Sequence, residues 1–157
     1  MPVIALIIAA FVALLDQIIK YSVVNNIKPH GTVSIISGVL NITYVENRGV
    51  AFGMFTDMRW IFVALTALMI FAIIFYMFKK RPDGKFFYIV AGLIIGGGLG
   101  NLYDRIVNGY VIDYISLLFF PPVCNFADYC ITVGVILLIF YVLFKPSRKN
   151  KKVKKND

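Results

Sequence analysis

Four carboxylates of this chain stand where carboxylates are expensive. Of its eight acidic residues, Asp83, Asp157, Glu46 and Asp57 fall in polar, terminal or turn-rich segments, whereas Asp16, Asp104, Asp113 and Asp128 lie in or beside long apolar runs. An ionisable group in such a run needs a partner and is a functional candidate by default. Asp16 and Lys20 are four apart with the acid first, the favourable order for an ion pair on a helix. The spacing predicts a pair near the outer interface; a substrate-facing role is the other reading. Asn101, Asp104 and Arg105, at i, i+3 and i+4, share one side of a helix. Asn108-Gly109 is a helix stop, so Asp113 falls just past it in the apolar segment from Tyr110 to Ile115. Asn125 precedes Asp128 by three residues, as a cap does at a helix start. Pro121-Pro122 is expected to reverse the chain between them, which brings Asp113 and Asp128 to one depth. Two carboxyls close together in an apolar site share a proton. One then activates water while the other donates to a carbonyl or a leaving amine, as in aspartic proteases. The spacing also allows two separately satisfied carboxylates, one of them paired with Arg105.

Other chemistries have less to work with. One histidine and two cysteines, Cys124 and Cys130, cannot build a multi-histidine site or a zinc knuckle, and no metal is expected. Both thiols are expected to be free and buried. A serine–lysine pair of Ser22 or Ser116 with Lys20 is weak, because Asp16 is already within reach of that lysine. Gly92, Gly96 and Gly100 recur every four residues, the small-residue pattern of close helix packing, and Gly96 to Gly98 is no nucleotide loop because no strand precedes it.

Those residues must be positioned by elements suited to a membrane. The chain has 157 residues, 60% hydrophobic and 15% charged, against about 25% charged in soluble domains. Its 14 Phe and 9 Tyr exclude a disordered chain. Runs of about 20 apolar residues span a bilayer, and four are present, at about 3–24, 60–78, 86–107 and 127–144. The first lacks the basic leader and small-residue cleavage site of a removed signal peptide, so it is read as a retained helix. The net charge of +8 is concentrated in the 79–85 loop and in a basic tail over 145–157. That distribution fits the positive-inside rule and contact with anionic lipid rather than nucleic acid. Both termini and the basic loop are therefore expected in the cytoplasm, with segments 25–59 and 106–126 outside. Within an outer insert at about 28–57, Leu40, Ile42 and Tyr44 alternate with Asn41 and Thr43 between glycines, which predicts short strands. Unpaired strand edges cannot lie in hydrocarbon, so this piece should form a small platform at the outer surface. The segment at about 108–126 is expected to be a loop. Residues 1–144 form a single membrane domain in this reading.

Several motifs, in order, resemble those of the bacterial lipoprotein signal peptidases (signal peptidase II). Asp16-Gln17-Ile18-Ile19-Lys20 resembles the family's D-Q-x-x-K, and Asn47 to Gly53 its N-x-G-x-A-F-G. Gly97 to Arg105 followed by Gly109 to Asp113 is similar to G-x-x-G-N-x-x-D-R…G-x-V-x-D, and Asn125 to Asp128 to N-x-A-D. The resemblance implies four transmembrane helices with an extracytoplasmic β-cradle. It implies Asp113 and Asp128 as the catalytic pair and Asp104 as a supporting residue. Asp16, Lys20, Asn47, Gly49, Asn101, Arg105 and Asn125 would shape the site or hold substrate. The implied substrate is a diacylglyceryl-modified prolipoprotein, cut before the lipidated cysteine by a monomer without cofactor. Cys124 and Tyr114 stand where the family usually has Phe. A small ion or proton transporter is the rival class, but it more often shows broken helices and internal repeats. A non-enzymatic scaffold would leave the gathered acids unexplained.

Overall fold

The computed structural model describes residues 1–49 and 58–144. Val50 to Gly53 of the second motif, Asp57 and the basic tail lie outside the described residues. Four helices are each long and apolar enough to cross a membrane: α1 (Pro2–Asn26), α2 (Arg59–Lys80), α3 (Lys85–Val107) and α4 (Phe126–Phe144). Four strands, β1 (Val33–Ile36), β2 (Leu40–Asn47), β3 (Val111–Leu117) and β4 (Phe120–Cys124), form one antiparallel sheet in the order β1-β2-β3-β4.

Helix α3 is the centre of the bundle: it buries most of its surface, whereas the other three leave most of theirs to lipid. Its glycines explain this. A Cβ on Gly92 would meet Ile8, and one on Gly96 would stand 2.7 Å from the Ala9 carbonyl oxygen, so α1 packs backbone to backbone against this face. A Cβ on Gly97 would be 2.6 Å from the Ala127 carbonyl oxygen of α4. The small-residue stripe is thus a packing device, used on two sides. Helix α1 answers with one buried seam of Ala5, Ala9, Val12, Asp16, Lys20 and Val23. That seam is apolar in its N-terminal half and ionic where α3 carries Gly100, Asn101 and Asp104.

Two expectations are corrected. The segment at 108–126 is not a loop but supplies half the sheet. Nor does Pro121-Pro122 reverse the chain: the turn falls at Leu118-Phe119, and both prolines lie in β4, an edge strand. An edge tolerates proline because one row of its backbone groups has no ladder partner.

One irregularity of the sheet bears directly on the site. Leu40, Asn41 and Ile42 oppose Leu117, Ser116 and Ile115, whereas Val45, Glu46 and Asn47 oppose Asp113, Ile112 and Val111. One extra residue in β2 between Ile42 and Val45 accounts for the shift. Side chains alternate faces along a strand, so a one-residue slip changes the face of everything beyond it. Without the bulge, Asn47 would point away from the face that carries Asp113. With it, the two are diagonal neighbours on one face.

Candidate active site

The site forms where the C-terminal ends of α1 and α3 and the N-terminal end of α4 meet β2 and β3. Helix α3 ends at Asn108-Gly109, as expected. The N–H groups of both residues donate to the Asp104 carbonyl, at 2.8 and 3.2 Å, and Gly109 takes φ +88°, a conformation that glycine adopts without strain. The chain then enters β3, and the Ile112 N–H donates to Asp104 Oδ2 at 3.1 Å. Asp104 therefore stitches the start of β3 to the end of α3, and Asp113 follows on the strand.

At the start of α4, Asn125 and Asp128 form a reciprocal cap. The Asp128 N–H donates to Asn125 Oδ1 at 3.0 Å, and the Asn125 N–H donates to Asp128 Oδ2 at 3.1 Å. Asn125 also does what an ordinary cap does not. Its Nδ2 donates to Asp113 Oδ1 at 2.6 Å and to Asn101 Oδ1 at 3.1 Å. Asn47 Nδ2 donates to the other Asp113 oxygen at 2.7 Å, and Asn101 Nδ2 donates to Asp128 Oδ1 at 2.8 Å. Asp113 and Asp128 are thus held by a common partner, Asn125. Gly49 serves the same corner, its N–H donating to Asn47 Oδ1 at 3.0 Å and fixing which way that amide faces.

Behind these two carboxyls lies a buried ionic cluster. Lys20 Nζ is 2.8 Å from Asp16 Oδ2, 2.8 Å from Asp104 Oδ2 and 3.0 Å from Asn101 Oδ1. The expected Asp16–Lys20 pair exists, fully buried in the bundle, and Asp104 makes it a triad. The Ala127 N–H donates to Asp16 Oδ1 at 3.2 Å, tying α4 to α1. A Cβ on Gly100 would collide with the Asp16 carboxylate, so this glycine makes room for a charge as well as for a helix. All three protons of Lys20 are engaged. That leaves no free base for Ser22, whose hydroxyl accepts from Asn26 Nδ2, or for Ser116 on β3.

Arg105, which the spacing allowed to pair with one of the two carboxyls, does not do so among the described residues. It is half-buried, its guanidinium 5.5 Å over the Phe62 ring, and it makes no ion pair among the described residues. Asp128, Asp113 and Asp104 act on it through their charge alone. Neither Asp113 nor Asp128 is therefore neutralised by a direct arginine contact.

Two residues to which the sequence reading gave no role also contribute. Gln17 Nε2 donates to Asp104 Oδ1 at 3.1 Å, to the Gly100 carbonyl at 3.2 Å and to Asp16 at 3.3 Å. The signal for it was an amide inside an apolar run, as costly there as a charge is without a partner. Tyr114 accepts the Phe126 N–H on its hydroxyl at 3.1 Å, satisfying an open donor at the first turn of α4. A Phe at this position has no atom to do that.

Electrostatics separate Asp113 from ordinary carboxyls. Burial, and then the nearby Asp128 charge, push its pKa up to about 6, against the opposing hydrogen bonds from Asn47 and Asn125. Asp113 is 2% exposed, whereas Asp128 is only partly buried. Both cysteines are free, Cys130 buried and Cys124 only partly so. Among the described residues no three His, Cys, Asp or Glu side chains are grouped to hold a metal ion.

Fold and site together define a polytopic membrane protein that carries two linked carboxyls where a four-helix bundle meets an antiparallel sheet. Residues 8–144 match the family profile described as signal peptidase (SPase) II. A "Lipoprotein signal peptidase" of Caldanaerobacter subterraneus subsp. tengcongensis is 41% identical over 141 residues, covering 90% of this chain and 97% of that one. Another, of Clostridium acetobutylicum, is 38% identical over 152 residues, covering 94% and 99%. A bacterial membrane enzyme solved by the in meso method at 2.3 Å superposes with a TM-score of 0.82 at 32% identity, covering 88% of this chain and 87% of that one. The chain belongs to the signal peptidase II family.

Proposed function

We propose that the chain removes the signal peptide from diacylglyceryl-modified prolipoproteins by hydrolysing the bond before the lipidated cysteine, with Asp113 and Asp128 as the catalytic pair. The observation that carries this is Asn125, which binds both carboxyls at once and leaves neither with a cationic contact. In this mechanism Asp113, the more buried acid with the raised pKa, holds the shared proton, and Asp128 acts as general base. Asp128 takes a proton from water, whose oxygen attacks the scissile carbonyl carbon. Asp113 gives its proton to the carbonyl oxygen, forming a gem-diol. Collapse of the diol returns that proton to Asp113 while Asp128 protonates the leaving amine of the cysteine. Asn47, Asn101 and Asn125 hold the carboxyls in register. The triad of Asp16, Lys20 and Asp104 holds the helices and β3 that carry them.

A substrate bearing two acyl chains is met only at a membrane, where each buried CH₂ contributes about 0.8 kcal/mol. The positive charge of the 79–85 loop and tail supports the cytoplasm as their side, with both termini, and the outer face for the sheet and site. We take a monomer as the working unit. The four helices are unbroken over their described lengths, unlike the interrupted helices of the transporter reading.

The test is cleavage by the purified protein in detergent of a diacylglyceryl-modified prolipoprotein beside an unlipidated copy, read by mass spectrometry. Cutting of the lipidated copy alone, immediately before the modified cysteine, is expected. Absence of cutting by well-folded protein would refute the proposal.

The pH dependence carries a sign. Activity needs one proton on the pair, so kcat/KM should fall as pH rises through the free-enzyme value near 6. The Asn47 hydrogen bond lowers the pKa of Asp113, so Asn47→Ala should move this alkaline limb to higher pH while reducing kcat. A limb that stays in place would detach Asn47 from the titrating group.

A further inference from the structure

A second feature lies at the free end of the sheet, away from the carboxyls. The β1–β2 and β3–β4 turns both sit at the end where Leu40 opposes Leu117, opposite to the Asn47–Val111 end. The Leu118 N–H donates to the Val39 carbonyl at 3.0 Å, joining the two turns into one tip. Ile35, Ile36, Val39, Leu118, Phe119 and Phe120 are exposed there. Phe119, at 73%, is as open as Tyr21 and Phe144, each at 74%, on the outer surface of the helices. From Gly31 to Val45 and from Tyr110 to Phe126 the chain has a single charged residue, Asp113, and it is buried. A sheet tip turned to water would carry charges against association; this one has none.

The position of the tip selects its partner. The other end of the sheet is rooted on the outer ends of α3 and α4, and Ile112, Tyr114 and Ile115 share a cluster with Val23 in the last turns of α1 and Ile27 just past its end. Ile42 and Tyr44 of β2 join the same cluster, with Ile19 and Val24 of α1, so the two central strands rest along their length on this end of α1 instead of touching the bundle only at their root. We propose that the two turns dip into the bilayer leaflet at the sheet end of the bundle, as an apolar anchor continuous with the lipid-facing helices. The free edges of β1 and β4 limit the depth, because their unpaired backbone groups cannot enter hydrocarbon. Insertion therefore reaches the boundary between headgroups and acyl chains, about 5–10 Å. The sheet then lies over the membrane surface, and this holds whether or not the carboxyls act as proposed.

The test uses the full chain in phospholipid vesicles. Trp60→Phe removes the single native tryptophan, and Phe119→Trp places an indole at the tip; Leu118→Trp repeats the measurement at the neighbouring position should the first variant misfold. The expected result is loss of indole emission with lipids brominated high on the acyl chain and no loss with aqueous iodide. Quenching by iodide but not by brominated lipid would place the tip in water and overturn the proposal. Shielding from both, with dependence on protein density in the vesicle, would assign the tip to a second copy of the chain and overturn it equally. The readout is depth, so its failure is distinct from failure of the cleavage assay.

Discussion

Asp113→Asn and Asp128→Asn should each stop cleavage of a lipidated prolipoprotein while leaving the bundle assembled. Loss of a positioned acid or base costs about 10²–10⁴-fold in rate. Groups that act as a unit are not additive, so the double variant should be little worse than either single one. The fold is expected to survive because asparagine keeps an acceptor oxygen in the same place. In Asp128→Asn that oxygen still accepts from the Asn125 N–H, preserving the cap on α4. In Asp113→Asn it still accepts from Asn47 or Asn125. Helix content and thermal unfolding in detergent check the fold, and mass spectrometry of the substrate checks the chemistry. Normal turnover by either folded variant would remove that residue from the mechanism.

Lys20→Met should have the largest effect on stability. Lys20 stands 2.8 Å from both Asp16 and Asp104, and all three side chains are buried. Removing the ammonium leaves two carboxylates facing each other in the bundle without a counter-charge. Breaking a buried pair in this way costs about 3–5 kcal/mol, an appreciable part of the stability of a domain this size. The triad joins α1 to α3, and through the Ile112 and Ala127 N–H groups it also reaches β3 and α4, so the loss should be global rather than local. Neutralising the whole cluster with Asp16→Asn, Lys20→Met and Asp104→Asn together should recover much of the stability, because no uncompensated charge remains. Thermal unfolding in detergent reads both. A Lys20→Met protein as stable as the parent would show that the cluster does not hold the bundle.

The four helices were legible because hydropathy acts over the length of the bilayer and needs no knowledge of neighbours. Strand β2 was legible as far as Tyr44, where alternation is regular. Strands β3 and β4 were not: Pro121-Pro122 argues against a strand unless the strand lies at an edge, and edge position is a property of the whole sheet. The bulge between Ile42 and Val45 leaves no local signature, yet it decides that Asn47 faces Asp113. Asp16 and Lys20, four apart on one helix, announced themselves. Their third member, Asp104, is joined only by the packing of α3 on α1, which Gly96 and Gly100 permit.

Sequence alone thus determined that this is a four-span membrane protein with costly polar groups, and the order of its motifs pointed to the family that the comparisons bear out. Composition, hydropathy and local spacing act along the chain and can be read along it. Tertiary structure decided which of those groups meet. It decided that Asn125 binds both carboxyls, that Arg105 stacks on Phe62 instead of pairing, and that Lys20 is saturated by two acids and an amide. A hydrogen bond has to be made within about 3 Å. Residues 27 or 84 positions apart reach that distance only when helix crossings and strand register have set them there.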